Sequence, residues 1–424
     1  MNIPALTTAS DSALSVLEKY LWQSSDKIGD WFEQQWQAYC APFYCSVDLR
    51  NAGFKLAPVD TNLFPAGFNN LNPKFIPLCV TALKQRLAQI NPYPKKLLLL
   101  PENHSRNHFY LQHVASLSNI MSQAGLEVRS GQISYGDITE QGEQELHQIR
   151  REQNRLLLND FDPDLIVLNN DLSKGIPSIL QGIEQPVFPS LQAGWTIRRK
   201  SDHFHYYHKV SSAFAKTIGF DPWLIDCYFS HIDQLNFENR EGEQRLADAV
   251  ADMLNNIQTK YQTLKINAQP FVIVKANAGT YGMGIMSVTS PQQVLGLSRK
   301  QRNKMAVIKD GLANTEVIIQ EGVFTIETIA KACVEPVIYM LGHHVVGGFY
   351  RAHQQRSHEQ NLNARGAYFI PLDFAAHHQK TAAAIPNRFY VYGVIALLAN
   401  LAAAMELATI PKDATITCAS PQEN

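Results

Sequence analysis

The chain has 424 residues, 45% of them hydrophobic, and its 37 Lys and Arg against 38 Asp and Glu leave a net charge of -1. That length holds two or three domains with a sizeable core, and the balanced charge gives no basic footprint, so nucleic acid is excluded as a favoured partner. No run reaches the roughly 20 uninterrupted apolar residues of a membrane span, and the late apolar segment "VYGVIALLANLAAAMELATI" (391–410) reads as a buried helix because it carries Asn400 and Glu406.

The N-terminus has no basic start followed by an apolar block, so no signal peptide is read. None of the six cysteines forms a C-x-x-C pair or lies at zinc-ligand spacing from histidine, so the expectation is reduced thiols in a cytoplasmic protein. Residues 11–40 predict one or two amphipathic helices. A polar, turn-rich segment follows over 46–75, holding Asp48, Arg50, Lys55, Asp60, Asn62, Asn69 and Asn70, and residues 75–90 have helical periodicity.

Strands and helices then alternate. "KKLLLL" (95–100), "LEVRSGQI" (126–133), "DLIVLNND" (164–171) and "PVFPS" (186–190) read as strands, with helices over 108–125 and 140–158. The alternation predicts βαβ units and a parallel sheet, in which ligands sit beyond the carboxyl ends of the strands. Two polar clusters fall at such ends, "PENHSRN" (101–107) and "NND" (169–171).

From residue 196 the character changes. Residues 195–220 are helical, basic and histidine-rich, but His203, His205 and His208 do not share one helical face, so packing or surface roles are expected. "FVIVKANAGTYGMGIMSV" (271–288) places Lys275 at the end of one strand and Gly279, Gly282 and Gly284 in the loop before the next. Such a loop frees the backbone to cradle phosphate oxygens, and Lys275 can reach the same phosphates. The order G-x-x-G-x-G fits neither the dinucleotide fingerprint nor the Walker loop. A helix is predicted from Ser290 and Pro291 through "QQVLGLSRKQRNKM". "EVIIQEGV" (316–323) is then an apolar strand ending in Gln320 and Glu321, suited to meet an adenine edge. Two strands about "GHH" follow, with Arg351 at the end of the second and Glu335 at the start of the first. Glu359 and Asn361, at E-x-N spacing, are hard oxygen ligands suited to Mg²⁺ bridging phosphates, with Glu335 a further candidate.

This order resembles the ATP-grasp pattern over residues 196–373. "EPVIYMLGHHVVGGFYRAH" and "NLNARG" are similar to the metal-and-substrate end of glutathione synthetases. Nearly the whole chain resembles the bacterial glutamate–cysteine ligases of the acidophilic iron-oxidiser type, through "VDLRNAGFKLAPVDTNLFPAGFNNL", "LLPENHSRN", "VKANAGTYGMGIM" and "NLNARGAYF".

The resemblance implies an α/β chain. Residues 1–195 would form N-terminal helices plus a Rossmann-like parallel-sheet domain, and residues 196–424 an ATP-grasp domain with a C-terminal helix. It implies ATP-dependent joining of the γ-carboxylate of glutamate to the amine of cysteine through an acyl phosphate. The alternatives are another carboxylate–amine pair or an inactive nucleotide-binding relative. ATP would lie on Lys275, Gly279, Gly282, Gly284, Gln320, Glu321 and Val323, and Mg²⁺ on Glu335, Glu359 and Asn361. Arg351 would neutralise the transferring phosphoryl group. Asp48, Arg50, Asp60, Asn62, Arg106, Asn363 and Arg365 would serve the amino acids. For the lysine on the α-phosphate, Lys200 and Lys209 both remain open.

Overall fold

The computed structural model describes residues 2–9, 15–90, 92–102, 107–133, 149–279, 284–375 and 387–409. The architecture is mixed α/β. A six-stranded antiparallel sheet is built from β1 (Tyr44–Asn51), β2 (Leu56–Asn62), β13 (Thr328–Ile329), β14 (Ala332–Leu341), β15 (His344–His353) and β16 (Tyr368–Pro371). Its order is β16–β15–β14–β1–β2, with β13 also paired to β14. The segment expected to be polar and turn-rich over 46–75 therefore begins as a β-hairpin. Its polar residues alternate: Ser46, Asp48 and Arg50 face a cavity, while Val47 and Leu49 are fully buried in the core with helix α9 (Arg388–Thr409). The β1–β14 pairing also joins residues 44–48 to residues 337–341, on the two sides of residue 195.

A second antiparallel sheet has the order β11 (Ile285–Val288), β10 (Val272–Ala276), β12 (Val317–Glu321), β9 (Phe229–Ile232). Helix α6 (Glu243–Thr263) packs on β9, β10 and β12, and α7 (Pro291–Leu295) on β11. The helix expected to continue from α7 breaks at Gly296, and α8 (Arg299–Ala306) begins afresh. Ser298 caps it in a capping box with Gln301, which supplies a new start signal inside the apparent helical run.

The parallel sheet has the order β4 (Glu127–Ser130), β3 (Lys96–Pro101), β7 (Leu165–Asn169), β8 (Val187–Phe188), as the alternating pattern predicted. Helices α3 (Ile76–Leu87) and α4 (His108–Gln123) precede and follow β3. The helix expected over 140–158 is corrected where it is described. A hairpin of β5 (Arg150–Glu152) and β6 (Arg155–Leu157) stands there, turned at Gln153 with φ of 52°. The preceding residues 134–148 lie outside the described residues.

Helices α1 (Val16–Gln23) and α5 (Lys200–Ile218) pack on α9, and α2 (Ser25–Ala38) packs on α1 and α5. By length and composition α9 is apolar enough to cross a membrane, yet 83% of that stretch is buried in the core. Arg198 and His203 pin it through Glu406, at 2.7 and 3.1 Å. His208 binds Asp226 and His205 is exposed, so the three histidines do not converge. Cys45, Cys79, Cys227 and Cys333 are free and buried, whereas Cys40 is disulfide-bonded, against the expectation of reduced thiols throughout.

Candidate active site

The three larger sheets meet around a cavity of about 740 Å³. Its floor is one face of the six-stranded sheet, where the period-two alternation of strands lays side chains out in rows. Asp60 of β2 is the cross-strand partner of Asp48 on β1, Asp48 pairs with Val337 on β14, and Val337 with Phe349 on β15. In the adjoining row Glu335 pairs with Arg351, and Arg351 with Phe369 on β16. One wall is the β10–β12 pair, with Ile273, Lys275, Gln320, Glu321 and Val323. The other is the carboxyl end of the parallel sheet, with Glu102, Asn169 and Asp171.

The charged row is tightly paired. Arg351 donates to Asp48 at 2.6 Å and to Glu335 at 2.7 Å, and Arg50 donates to the other Glu335 oxygen at 2.8 Å. Burial alone would raise the Glu335 pKa, but the two guanidinium groups outweigh it and hold the carboxyl below its usual range. Three further bonds from Arg50 go to the backbone oxygens of Val323, His358 and Gln360. Arg50 therefore ties the β12 exit and the 358–360 loop to the sheet while lining the cavity.

Beside this network lies a cation pair. Lys200, in the first turn of α5, donates to Asp60 at 2.6 Å, and Lys275 donates to the Val59 carbonyl at 2.6 Å. Burial pushes Lys275 down to about 8, against the pull of Asp60 and helped by its neighbour Lys200. Burial opposes ionisation of Asp60, but Lys200 and Lys275 overcome it and hold the carboxyl well below the usual range. Lys209 is exposed over the Tyr206 ring and does not line the cavity, which leaves Lys200 as the cation beside Lys275.

At the β12 exit the carboxylate of Glu321 turns away into the protein. It is held by Lys55 at 2.6 Å, the Trp223 ring N–H at 3.1 Å and the Tyr228 N–H at 3.0 Å. The cavity side therefore offers the backbone around Glu321 to Val323, flanked by Ile273 and Ile285. Buried Gln320 has an Nε2 with no partner among the described residues. Gly279 lines the cavity with φ of 89°. Gly284, with φ of 59°, packs near Ile308 but is not part of the lining.

Of the residues expected at the site, Asn361 and Asn363 also line the cavity, whereas Glu359 and Arg365 do not. Asn361 turns its side-chain oxygen to the Asn363 N–H at 2.9 Å, and the Arg365 carbonyl bonds His353. Of the E-x-N pair at 359–361, Asn361 faces the cavity and Glu359 is not part of its lining. Gly282 and Arg106 lie outside the described residues.

Sequence reasoning did not assign Lys309, which donates to Glu102 at 2.6 Å and to Asp171 at 2.8 Å across the cavity wall. The two acids belong to the polar clusters expected at strand ends. Lys309 itself carried no local signal. Nor did His113, which burial pushes down to about 4 and which bonds Asn169 at 2.8 Å.

The glutamate–cysteine ligase family profile matches residues 18–407. The chain belongs to the glutamate–cysteine ligase family. Its fold is similar to a provisionally assigned gamma-glutamylcysteine synthetase from Methylobacillus flagellatus KT, with a TM-score of 0.85 and 52% identity. The likeness covers 96% of this chain and 99% of that one. Two further structures are more distant. A D-alanyl-alanine synthetase A from Vibrio cholerae has a TM-score of 0.35 and 13% identity, over 72% of this chain and 81% of that one. A glutathione synthetase-like effector from Globodera pallida has a TM-score of 0.35 and 11% identity, over 84% of this chain and 80% of that one. No curated protein matches the chain.

As a member of the glutamate–cysteine ligase family the chain is an ATP-dependent ligase of small molecules, and the family implies a divalent metal. No group of three or more His, Cys, Asp or Glu stands ready for one among the described residues. The donor set nevertheless fits a hard cation that shares its shell with phosphates. Among the described residues, Asp48 and Asp60 each give one oxygen to a cationic side chain and keep the other without a hydrogen bond. The Asn62 side-chain oxygen, two residues along β2, accepts the Phe64 N–H.

Proposed function

We infer that the cavity ligates glutamate to cysteine in two steps, on an ATP-grasp fold accompanied by a Rossmann-like parallel sheet. The observation that carries this reading is the in-register Asp48–Asp60 pair beside Lys200, Lys275 and Arg351. A cation cluster and a carboxylate pair on adjoining strands suit a triphosphate and its metal.

ATP lies with its adenine edge along the Glu321–Val323 backbone, between Ile273 and Ile285, and with its phosphates toward Lys275 and Lys200. Asp48, Asp60 and Asn62 would hold Mg²⁺, a different set from the Glu335, Glu359 and Asn361 expected from the sequence. Glu335, neutralised by two arginines, serves to orient Arg351. The metal supplies charge neutralisation of the phosphate oxygens.

A γ-carboxylate oxygen of glutamate attacks the γ-phosphorus, and the bond to the ADP oxygen breaks. The cysteine amine, having lost a proton, then attacks the acyl carbon and phosphate departs. Arg351, fixed at Asp48 and Glu335, stabilises the negative charge that develops between them. The protein contributes positioning and preorganised charge rather than covalent chemistry.

Trapping with hydroxylamine tests the acyl phosphate. Enzyme, Mg·ATP and glutamate without cysteine should yield γ-glutamyl hydroxamate and ADP in equal amounts. Dipeptide synthesis with cysteine but no hydroxamate without it would rule out a free-standing acyl phosphate.

A further inference from the structure

The sheet floor changes character along its rows. Asp60 and Asp48 are followed by Val337 and Phe349, and Glu335 and Arg351 by Phe369. Strands in a sheet are roughly 4.8 Å apart, so the apolar end begins one to two strands, about 5 to 10 Å, from the carboxylate pair. The rings there form a continuous patch. Phe349 stands 5.4 Å from Tyr339 and 5.0 Å from Phe369, centroid to centroid. The Tyr339 hydroxyl is taken up by the Ala66 carbonyl, and Tyr339 lines the cavity. Phe349 is buried, but Phe369 on the edge strand is 43% exposed at the cavity wall.

We propose that this patch of Val337, Tyr339, Phe349 and Phe369 receives the side chain of the amine substrate and selects cysteine. The proposal rests on the ligase reading above. Phosphoryl transfer belongs to the charged end of the floor, so the acyl carbon lies between that end and the rings, and the amine approaches from the ring side. Glutamate carries three charged groups, which are better met at the charged end of the floor than on these rings. A thiol loses little on leaving water and gains from sulfur–ring contacts, whereas a hydroxyl loses its hydrogen bonds there. The patch thus accounts for a preference for cysteine over serine without any residue that recognises sulfur as such.

The test is steady-state kinetics with L-cysteine, L-2-aminobutyrate and L-serine as amines, for the wild type, Phe369→Ala and Phe349→Leu. The wild type should accept cysteine and 2-aminobutyrate and reject serine. Phe369→Ala should raise KM for cysteine roughly tenfold and narrow the cysteine-to-serine ratio in kcat/KM. KM for glutamate and for ATP should hold within about twofold, which also reports an intact fold. Phe349→Leu, which conserves most of the volume, should shift cysteine in the same direction by less. If Phe369→Ala does not fold, Phe369→Leu carries the same readout. A shifted glutamate KM with an unmoved cysteine KM, or no shift in either, overturns the assignment while the ligase reading stands. A wild type that forms no dipeptide from glutamate and cysteine overturns that reading and the assignment with it.

Discussion

Lys275 is buried beneath the Val59 carbonyl and faces Asp60 and Lys200, an environment that pushes its pKa down to about 8. If its ammonium holds phosphate, the protonated form is the one that binds. As pH rises through about 8 the free enzyme loses that cation, so kcat/KM for ATP should fall over a range where an ordinary lysine stays charged. The pH profile of kcat/KM checks this, and Lys275→Arg should move the fall to higher pH. A profile that stays flat to pH 9.5 would remove Lys275 from the phosphate site. Asp60 makes a second residue-scale prediction. Asp60→Asn keeps a partner for Lys200 but removes an anionic oxygen from the metal. It should lower kcat/KM by roughly 10²- to 10³-fold and raise the Mg²⁺ concentration needed for half activity. Unchanged Mg²⁺ dependence would return the metal to other residues.

Among the elements, the β10–loop–β11 unit was legible because its strands follow the period of two and its glycines stand together. The β1–β2 hairpin was not. Its cavity-facing positions are occupied by Ser46, Asp48, Arg50, Asp60 and Asn62, and a strand whose inner face serves a ligand loses the apolar alternation that marks a strand. The site was thus partly hidden by its own chemistry: the residues were named, but as loop residues serving amino acids rather than as paired strand positions. Glu327, between β12 and β13, shows how this sheet is fastened to α9. It accepts from the Tyr392 and Tyr350 hydroxyls, and burial raises its pKa to about 7. The folded state therefore keeps a proton that the unfolded chain has released above about pH 4.3. Its effect on stability is least unfavourable below that value and worsens as pH rises to about 7, by on the order of 3 kcal/mol at most. Urea unfolding at pH 5 and pH 8 should show this loss, and Glu327→Gln should flatten it. An equal slope in both proteins would exclude Glu327 as its source.

At the scale of the molecule, the site is a seam between three sheets that are far apart in sequence. Lys309 closes the seam by joining the β10–β12 unit to Glu102 and Asp171 at the parallel sheet. A contact spanning 138 residues or more leaves no local pattern, which is why the sequence did not disclose it. Lys309→Met would leave the half-buried Glu102 beside the buried Asp171 without their shared cation and should destabilise the fold, by at most about 3–5 kcal/mol. Adding Glu102→Gln should restore part of that loss in urea unfolding. No restoration would mean that Lys309 acts through packing alone. On the proposed reading, ATP, glutamate and cysteine react in this seam. The most direct measurement is phosphate release from Mg·ATP with glutamate, with cysteine and with both, alongside mass detection of γ-glutamylcysteine, with Lys275→Ala as control. Release that needs both amino acids, with the dipeptide formed and lost in Lys275→Ala, is the predicted result. Full dipeptide synthesis by Lys275→Ala would contradict the placement of the reaction, and ATP binding without dipeptide from the wild type would contradict the reaction itself.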